Sequence, residues 1–339
     1  MREEMATKEE WKRLYEVAVD FRDKKSWEWM YDDMIFGVQN PENGEIGYCI
    51  VMGNIGEFFG LGVYLGSEGL AGIKRMQTDN VDEFDMINVQ KCLMASFEDR
   101  QDLDKEDYKT IKELGLRFRG RKQWPQFRSY RPGFFPWYLE KDEVKFLTTA
   151  LEQALIVVDK VKDVGPEKYF YKKGLYYIRV PELKGDEISW REEWIKPQIA
   201  QRVMTVDIDE LTERRIKNNC KKTRSTWVLD YFSAPSPVQE KKGQRPYYPS
   251  VFMCLDSKSG MIIHSNMFPY EGREKRFVEE FIKTMEKMKT IPRDIIVVKQ
   301  EAYELLKTAT KKFRFNIILM KGLPLLDEVK YGLFNFFRR

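Results

Sequence analysis

The sequence predicts an α+β N-terminal domain followed by an α/β C-terminal domain with a mixed sheet. Three observations carry this. At 339 residues the chain exceeds the roughly 250–300 at which one core stops growing, so two domains are expected. The second half contains a hairpin signal: Val251 to Leu255 is apolar, Asp256-Ser-Lys-Ser-Gly260 is a turn, and Met261 to Ile263 is apolar again. Asp starts such a turn by bonding its own backbone, and Gly supplies the positive φ. Helical and strand-like segments alternate behind it, which makes the hairpin the antiparallel edge of a mixed sheet. The division read from the chain is 1–165, a stretch of connecting strands and a basic helix over 166–224, and 225–339.

Thr7 to Arg22 reads as an amphipathic helix. Thr7 can cap it with Glu10 as capping-box partner, and Trp11, Leu14, Tyr15, Ala18 and Phe21 share one stripe. Met34 to Val38, Tyr48 to Met52 and Leu61 to Leu65 read as strands, with a turn at Pro41-Glu-Asn-Gly44. Gly53, Gly56, Gly60, Gly62 and Gly66 invite a phosphate-loop reading. However, the Gly-Lys-Ser/Thr of a Walker loop is missing, and GLGVYLG has one residue too many for a dinucleotide fingerprint. Closely packed, glycine-relieved hairpins are the simpler account. Gly66 opens a helix through Met76, Cys92 to Phe97 is a strand, and Asp104 caps a helix that Gly115 ends.

From Arg117 to Arg131 the chain holds Arg117, Arg119, Arg121, Lys122, Arg128 and Arg131 without one acid, interleaved with Trp124, Phe127 and Tyr130 and followed by Trp137. Pro125, Pro132 and Pro136 exclude a helix, so an ordered loop is expected. Charge for phosphates and flat rings for bases is what single-stranded nucleic acid requires. The plainer reading is a surface-crossing segment whose rings fill gaps and whose arginines pair with distant carboxylates.

Asp142 to Val161 carries an apolar stripe of Val144, Leu147, Leu151, Leu155, Val158 and Val161, which predicts a helix stopped at Gly165-Pro166. Tyr169 to Pro197 alternates like paired strands around a Gly185-Asp186 turn. Glu210 to Asn219 is a polar helix leading into a second basic cluster of Arg214, Arg215, Lys217, Lys221, Lys222 and Arg224, a pattern ordinarily found on a solvated face. After the strand from Trp227 and the hairpin come a helix from Arg273 to Lys289 and a β-branched strand, Ile295 to Val298. A helix from Ala302 to Phe313, a strand from Ile317 to Met320 and a helix from Leu323 to Phe337 close the chain.

Composition narrows the function classes. Hydrophobic residues at 42% and charged residues at 33% describe an ordinary globular chain, and a formal charge of +4 permits an anionic partner without demanding one. Cys49, Cys92, Cys220 and Cys254 are scattered and His264 is the single histidine, so zinc and iron–sulfur spacings are missing. The charged N-terminus reads as neither signal peptide nor anchor, and no apolar run approaches the roughly 18 residues of a membrane span. A cytoplasmic protein without a membrane partner is expected. Nucleophilic triad chemistry would depend on His264, near which there is no recognisable nucleophile elbow.

Trp227-x-x-Asp230, then Asp256-x-x-Ser259-Gly260 backed by an apolar strand, resembles the core of the ribonuclease-H-like fold of nucleases, transposases and integrases. The element order is similar too: three antiparallel strands, then helix, strand, helix, strand, helix. VMGNIGEFFGLGVYLG, SFEDR and the Trp124-Pro…Pro-Gly-Phe-Phe-Pro-Trp137 run resemble a bacterial and archaeal two-domain family of unknown function over nearly the whole chain.

The first resemblance implies two-metal phosphodiester chemistry, with Mg or Mn held by clustered carboxylates. The matching positions are Asp230 on the first strand, Glu279 or Glu280 on the first helix, Glu301 after the fourth strand, and Asp327 or Glu328 on the last helix. The fourth strand ends in Lys299-Gln300 where that family places an acid. A lysine there puts positive charge where the metals belong. The leading expectation is therefore a non-catalytic binding or adaptor protein without a cofactor, meeting nucleic acid or an anionic protein surface through Arg117 to Trp137. The alternative is a metal-dependent nuclease or transposase relative using Asp230, Glu280, Glu301 and Asp327.

Overall fold

The computed structural model describes residues 5–78, 83–185, 187–197 and 205–337. The chain forms two compact units. Met1–Val81, Asn88–Pro132 and Pro136–Ala200 make the first; Asp82–Ile87, Gly133–Phe135 and Gln201–Arg339 make the second.

The first unit runs α1 (Lys8–Lys24), β1 (Phe36–Gln39), β2 (Ile46–Met52), β3 (Gly60–Leu65), α2 (Gly66–Gln77), β4 (Cys92–Glu98), α3 (Lys105–Glu113), β5 (Trp124–Tyr130), α4 (Lys141–Val164), β6 (Tyr176–Lys184) and β7 (Glu187–Ile195). Thr7 caps α1: its hydroxyl accepts from the Glu10 N–H at 3.1 Å while the Glu10 carboxylate accepts from the Thr7 N–H at 2.7 Å. The strands form one sheet in the order β5-β4-β3-β2-β1-β6-β7, antiparallel except for the β1/β6 pair. Period-two alternation sends Val38, Cys49, Val63 and Leu93 into a core with residues of α1 and α4, and Tyr48, Ile50, Tyr64 and Met94 into another with residues of α2. Both faces of the inner strands are covered, which is why they read as continuous apolar runs. The glycines serve this packing, since a Cβ on Gly60 would stand 2.3 Å from the Ala95 carbonyl oxygen.

The second unit runs α5 (Glu210–Asn219), β8 (Lys221–Lys222), β9 (Thr226–Ser233), β10 (Ser250–Asp256), β11 (Ile262–Phe268), α6 (Arg273–Met288), β12 (Thr290–Ile291), β13 (Asp294–Val297), α7 (Gln300–Phe313), β14 (Asn316–Leu319) and α8 (Pro324–Phe337). Its five-stranded sheet has the order β11-β10-β9-β13-β14. β10 is antiparallel to β9 and β11, and β13 is parallel to β9 and β14. Residues of α5, α6 and α7 share a core with Trp227, Leu229 and Tyr231, while α8 shares the opposite one with Val228 and Phe232. In the hairpin turn Asp256 Oδ1 accepts from the Ser259 N–H at 2.8 Å, and Gly260 takes φ +71°.

The segment from Arg117 to Trp137 is not the continuous loop its prolines suggested. Trp124–Tyr130 is β5, at the edge of the sheet; its outer side meets only a bridge between Ser129 and Trp137, so Pro125, four residues earlier on that side, removes no ladder bond. The turn between β6 and β7 has Gly185 at φ +67°, while Asp186 lies outside the described residues, as do the first four residues of the N-terminus. Among the described residues no helix is long and apolar enough to cross a membrane.

Candidate functional site

Asp230 sits on β9 between Val228 and Phe232, so alternation points it at the α8 side of the sheet, where it is fully buried. Its neighbours there are cations. Lys330 of α8 brings its ammonium 2.6 Å from Asp230 Oδ2, and Lys299 lies 3.5 Å from Oδ1. Lys299 also donates to the Tyr231 carbonyl at 2.5 Å and pairs with Asp85 at 2.5 Å. Burial alone would raise the Asp85 carboxyl. The Lys299 ammonium beside it, with Lys330 and Arg273 further off, instead holds it below the ordinary carboxylate range. Arg273 lies over the Tyr270 ring at 4.2 Å and the Tyr231 ring at 5.4 Å. The arrangement is a buried network of alternating charge.

The other acids of the metal reading lie elsewhere. Glu280 on α6 is buried with its Oε2 2.8 Å from His264 Nε2 and its Oε1 2.7 Å from the Lys283 ammonium. Burial would raise its carboxyl, but those partners hold it down. Glu301 falls in the first turn of α7, half-buried. Asp327 and Glu328 face solvent, because the helical period turns Leu326, Lys330 and Phe334 inward instead. Among the described residues no group of three or more His, Cys, Asp or Glu side chains could hold a metal ion.

The structure also divides the basic aromatic segment. Trp124 and Phe127 are buried in the first unit's core, and Tyr130 and Trp137 are half-buried. Arg128 is held by Asp107 at 2.6 Å and Asp104 at 2.9 Å, with its guanidinium over the Tyr138 ring at 5.1 Å. Arg131 pairs with Glu140 and Glu143, and Lys122 with Glu98. These rings and cations are engaged in holding the fold.

Arg117, Arg119 and Arg121 differ. Leu116 and Phe118 turn inward to the core, Phe118 with its ring 5.8 Å from that of Trp124, and this leaves Arg117 and Arg119 exposed. Gly120 then bends the chain at φ +101°, and Arg121 follows, 92% exposed and 3.8 Å from Asp99. Arg117, Arg119 and Gly120 border an open cleft of about 700 Å³ whose walls include Arg100, Tyr108, Lys112, Phe118 and Trp124. Arg100 lies 5.1 Å from the Tyr108 ring centre. A second cleft of about 580 Å³ shares Arg100 and Gly120 and takes in Arg121. The second basic cluster is the solvated face its composition suggests: Arg214, Arg215 and Lys217 pair with Glu210, Glu286 and Glu213.

Sequence reasoning missed Asp85, Arg100, Tyr108, Arg273 and Lys330. Only Lys330 carried a readable signal, four residues from Leu326 and four from Phe334 on the buried stripe of α8.

Fold and site together define a two-domain mixed α/β protein with a charge-neutralised acid position and a basic cleft. Residues 11–179 match the domain of unknown function DUF7309 and residues 212–334 match the domain of unknown function DUF6930, and the two matches together support a two-domain family of unknown function. No curated protein and no solved structure matches it.

Proposed function

We propose that this is a non-catalytic binding protein for an anionic partner, with a second unit of ribonuclease-H-like design that has given up metal chemistry. The strand order, the strand β10 antiparallel to both its neighbours, and helices on both faces support the ribonuclease-H-like reading. The single observation that carries the non-catalytic reading is the pair of ammonium groups, Lys330 and Lys299, at 2.6 and 3.5 Å from Asp230. A divalent ion needs hard oxygen ligands from several carboxylates. Here Asp230 is neutralised by lysines, Glu280 is paired on the other side of the sheet, Glu301 is half-buried in the first turn of α7, and Asp327 and Glu328 face solvent. No finding favours the nuclease alternative.

The test is incubation of the full chain with single- and double-stranded RNA and DNA in millimolar Mg or Mn. No cleavage above the buffer control is expected. Strand scission that a chelator abolishes would overturn the reading.

A further inference from the structure

We propose that the cleft beside residues 117–121 is a binding site for single-stranded nucleic acid, with Arg117, Arg119 and Arg121 engaging successive phosphates and Tyr108 with Arg100 receiving a base. The proposal deepens the anionic-partner reading and rests on it.

The argument starts from backbone geometry. Between Leu116 and Arg119 the chain has no helical turn, and alternate residues go to opposite sides: Leu116 and Phe118 to the core, Arg117 and Arg119 to solvent. Side chains two residues apart on an extended chain stand about 6.6 Å from one another, a step comparable with that between neighbouring phosphates of a stretched single strand. The half-buried Phe118 ring anchors this row by packing against Trp124 and Tyr15, at 5.8 and 6.1 Å. The backbone that carries Arg117 and Arg119 is therefore anchored by the core, while Arg121, beyond the Gly120 bend, has Asp99 3.8 Å away.

Tyr108 is 41% exposed on the cleft wall. Arg100 lies over its ring and donates to its hydroxyl at 3.4 Å. A guanidinium plane lying over a tyrosine ring extends it into a flat surface on which any base can stack, whatever its sequence. An acidic peptide would satisfy the arginines but gain nothing from that surface, so nucleic acid fits better. The two adjoining clefts, of about 700 and 580 Å³, are open and leave room for a short run of nucleotides. A duplex, with its bases stacked inside, could not use the ring.

The experiment is a fluorescence-anisotropy titration of the full chain with labelled ten-nucleotide RNA and DNA at several salt concentrations. Unlabelled mononucleotide, duplex and poly-glutamate serve as competitors. Binding to the single strands is expected to weaken with salt by about 0.7 log unit per log unit of salt for each phosphate neutralised. The Arg117→Ala/Arg119→Ala/Arg121→Ala variant should lose at least tenfold in affinity and about two units of that slope. Tyr108→Ala should weaken binding severalfold and leave the slope unchanged. The Lys221→Ala/Lys222→Ala/Arg224→Ala protein should bind like the parent.

Absence of binding at low salt, equal loss in both triple variants, or full competition by poly-glutamate would each overturn the proposal. Full competition by duplex, or by mononucleotide at equal phosphate, would overturn the strand reading. Thermal unfolding of each variant checks that the fold is intact. These readouts are independent of strand scission, so failure here is distinguishable from failure of the non-catalytic reading.

Discussion

Lys330 is a lysine with its ammonium sealed inside a sheet–helix interface, 1% exposed and facing a carboxylate that is fully buried. Removing one partner of such a pair strands the other charge, at a cost of about 3–5 kcal/mol, whereas replacing both with apolar groups of similar size is often close to neutral. Lys330→Met alone is therefore expected to destabilise the protein by about 3–5 kcal/mol. Adding Asp230→Leu should recover most of that loss in urea denaturation. Recovery is helped because Lys299 keeps Asp85 as a counterion. Residue chemistry of this kind was half legible in advance. The sequence shows a lysine at the end of the fourth strand and another on the inner stripe of the last helix. It carries no sign that Asp85, from a distant part of the chain, completes the set, because the pairing is purely tertiary.

At the scale of elements, capping boxes, turn residues and apolar periods made most helices and strands readable, since each of these signals is local. Thr7 with Glu10 forms the capping box its residue types suggest, and in the hairpin the Asp256 side chain accepts from the Ser259 N–H while its carbonyl accepts from the Gly260 N–H. β5 was hidden by its prolines, which normally argue against a strand and are tolerated here only because the strand is an edge. Trp124 and Phe127 of this strand lie in the first unit's core, as the plainer reading of the segment had its rings fill gaps. Phe127→Ala is accordingly expected to cost about 3–5 kcal/mol through the cavity it leaves, read as a lower denaturation midpoint. The folded fraction should keep its affinity for single strands. Loss of affinity without loss of stability would return Phe127 to the binding surface.

For the whole molecule, two global measurements report on burial. All four cysteines are buried, and burial pushes the Cys49, Cys92, Cys220 and Cys254 thiols up. A thiol reagent at neutral pH should therefore modify none of them in the native protein within minutes and all of them in denaturant. Acid stability reports on the charge network. The Asp85 carboxyl is depressed in the folded state. Its contribution is thus complete above the ordinary carboxylate pKa of about 4 and lost as the pH falls through the lower folded value. Asp85→Asn should flatten the fall in stability below about pH 5, measured as the urea midpoint against pH.

Asp82–Ile87 and Gly133–Phe135 belong to the second unit although they precede its main body in the chain. Gly133, at φ +79°, lies so close to the Tyr270 ring that a Cβ would stand 2.1 Å from it, and its N–H donates to the Ile87 carbonyl at 3.0 Å. A ribosome therefore releases two pieces of this unit long before their partners: Gly133 waits for Tyr248 and Tyr270, and Asp85 for Lys299. A fragment that began after residue 200 would accordingly leave behind Asp85 and keep only Asp230 beside Lys299.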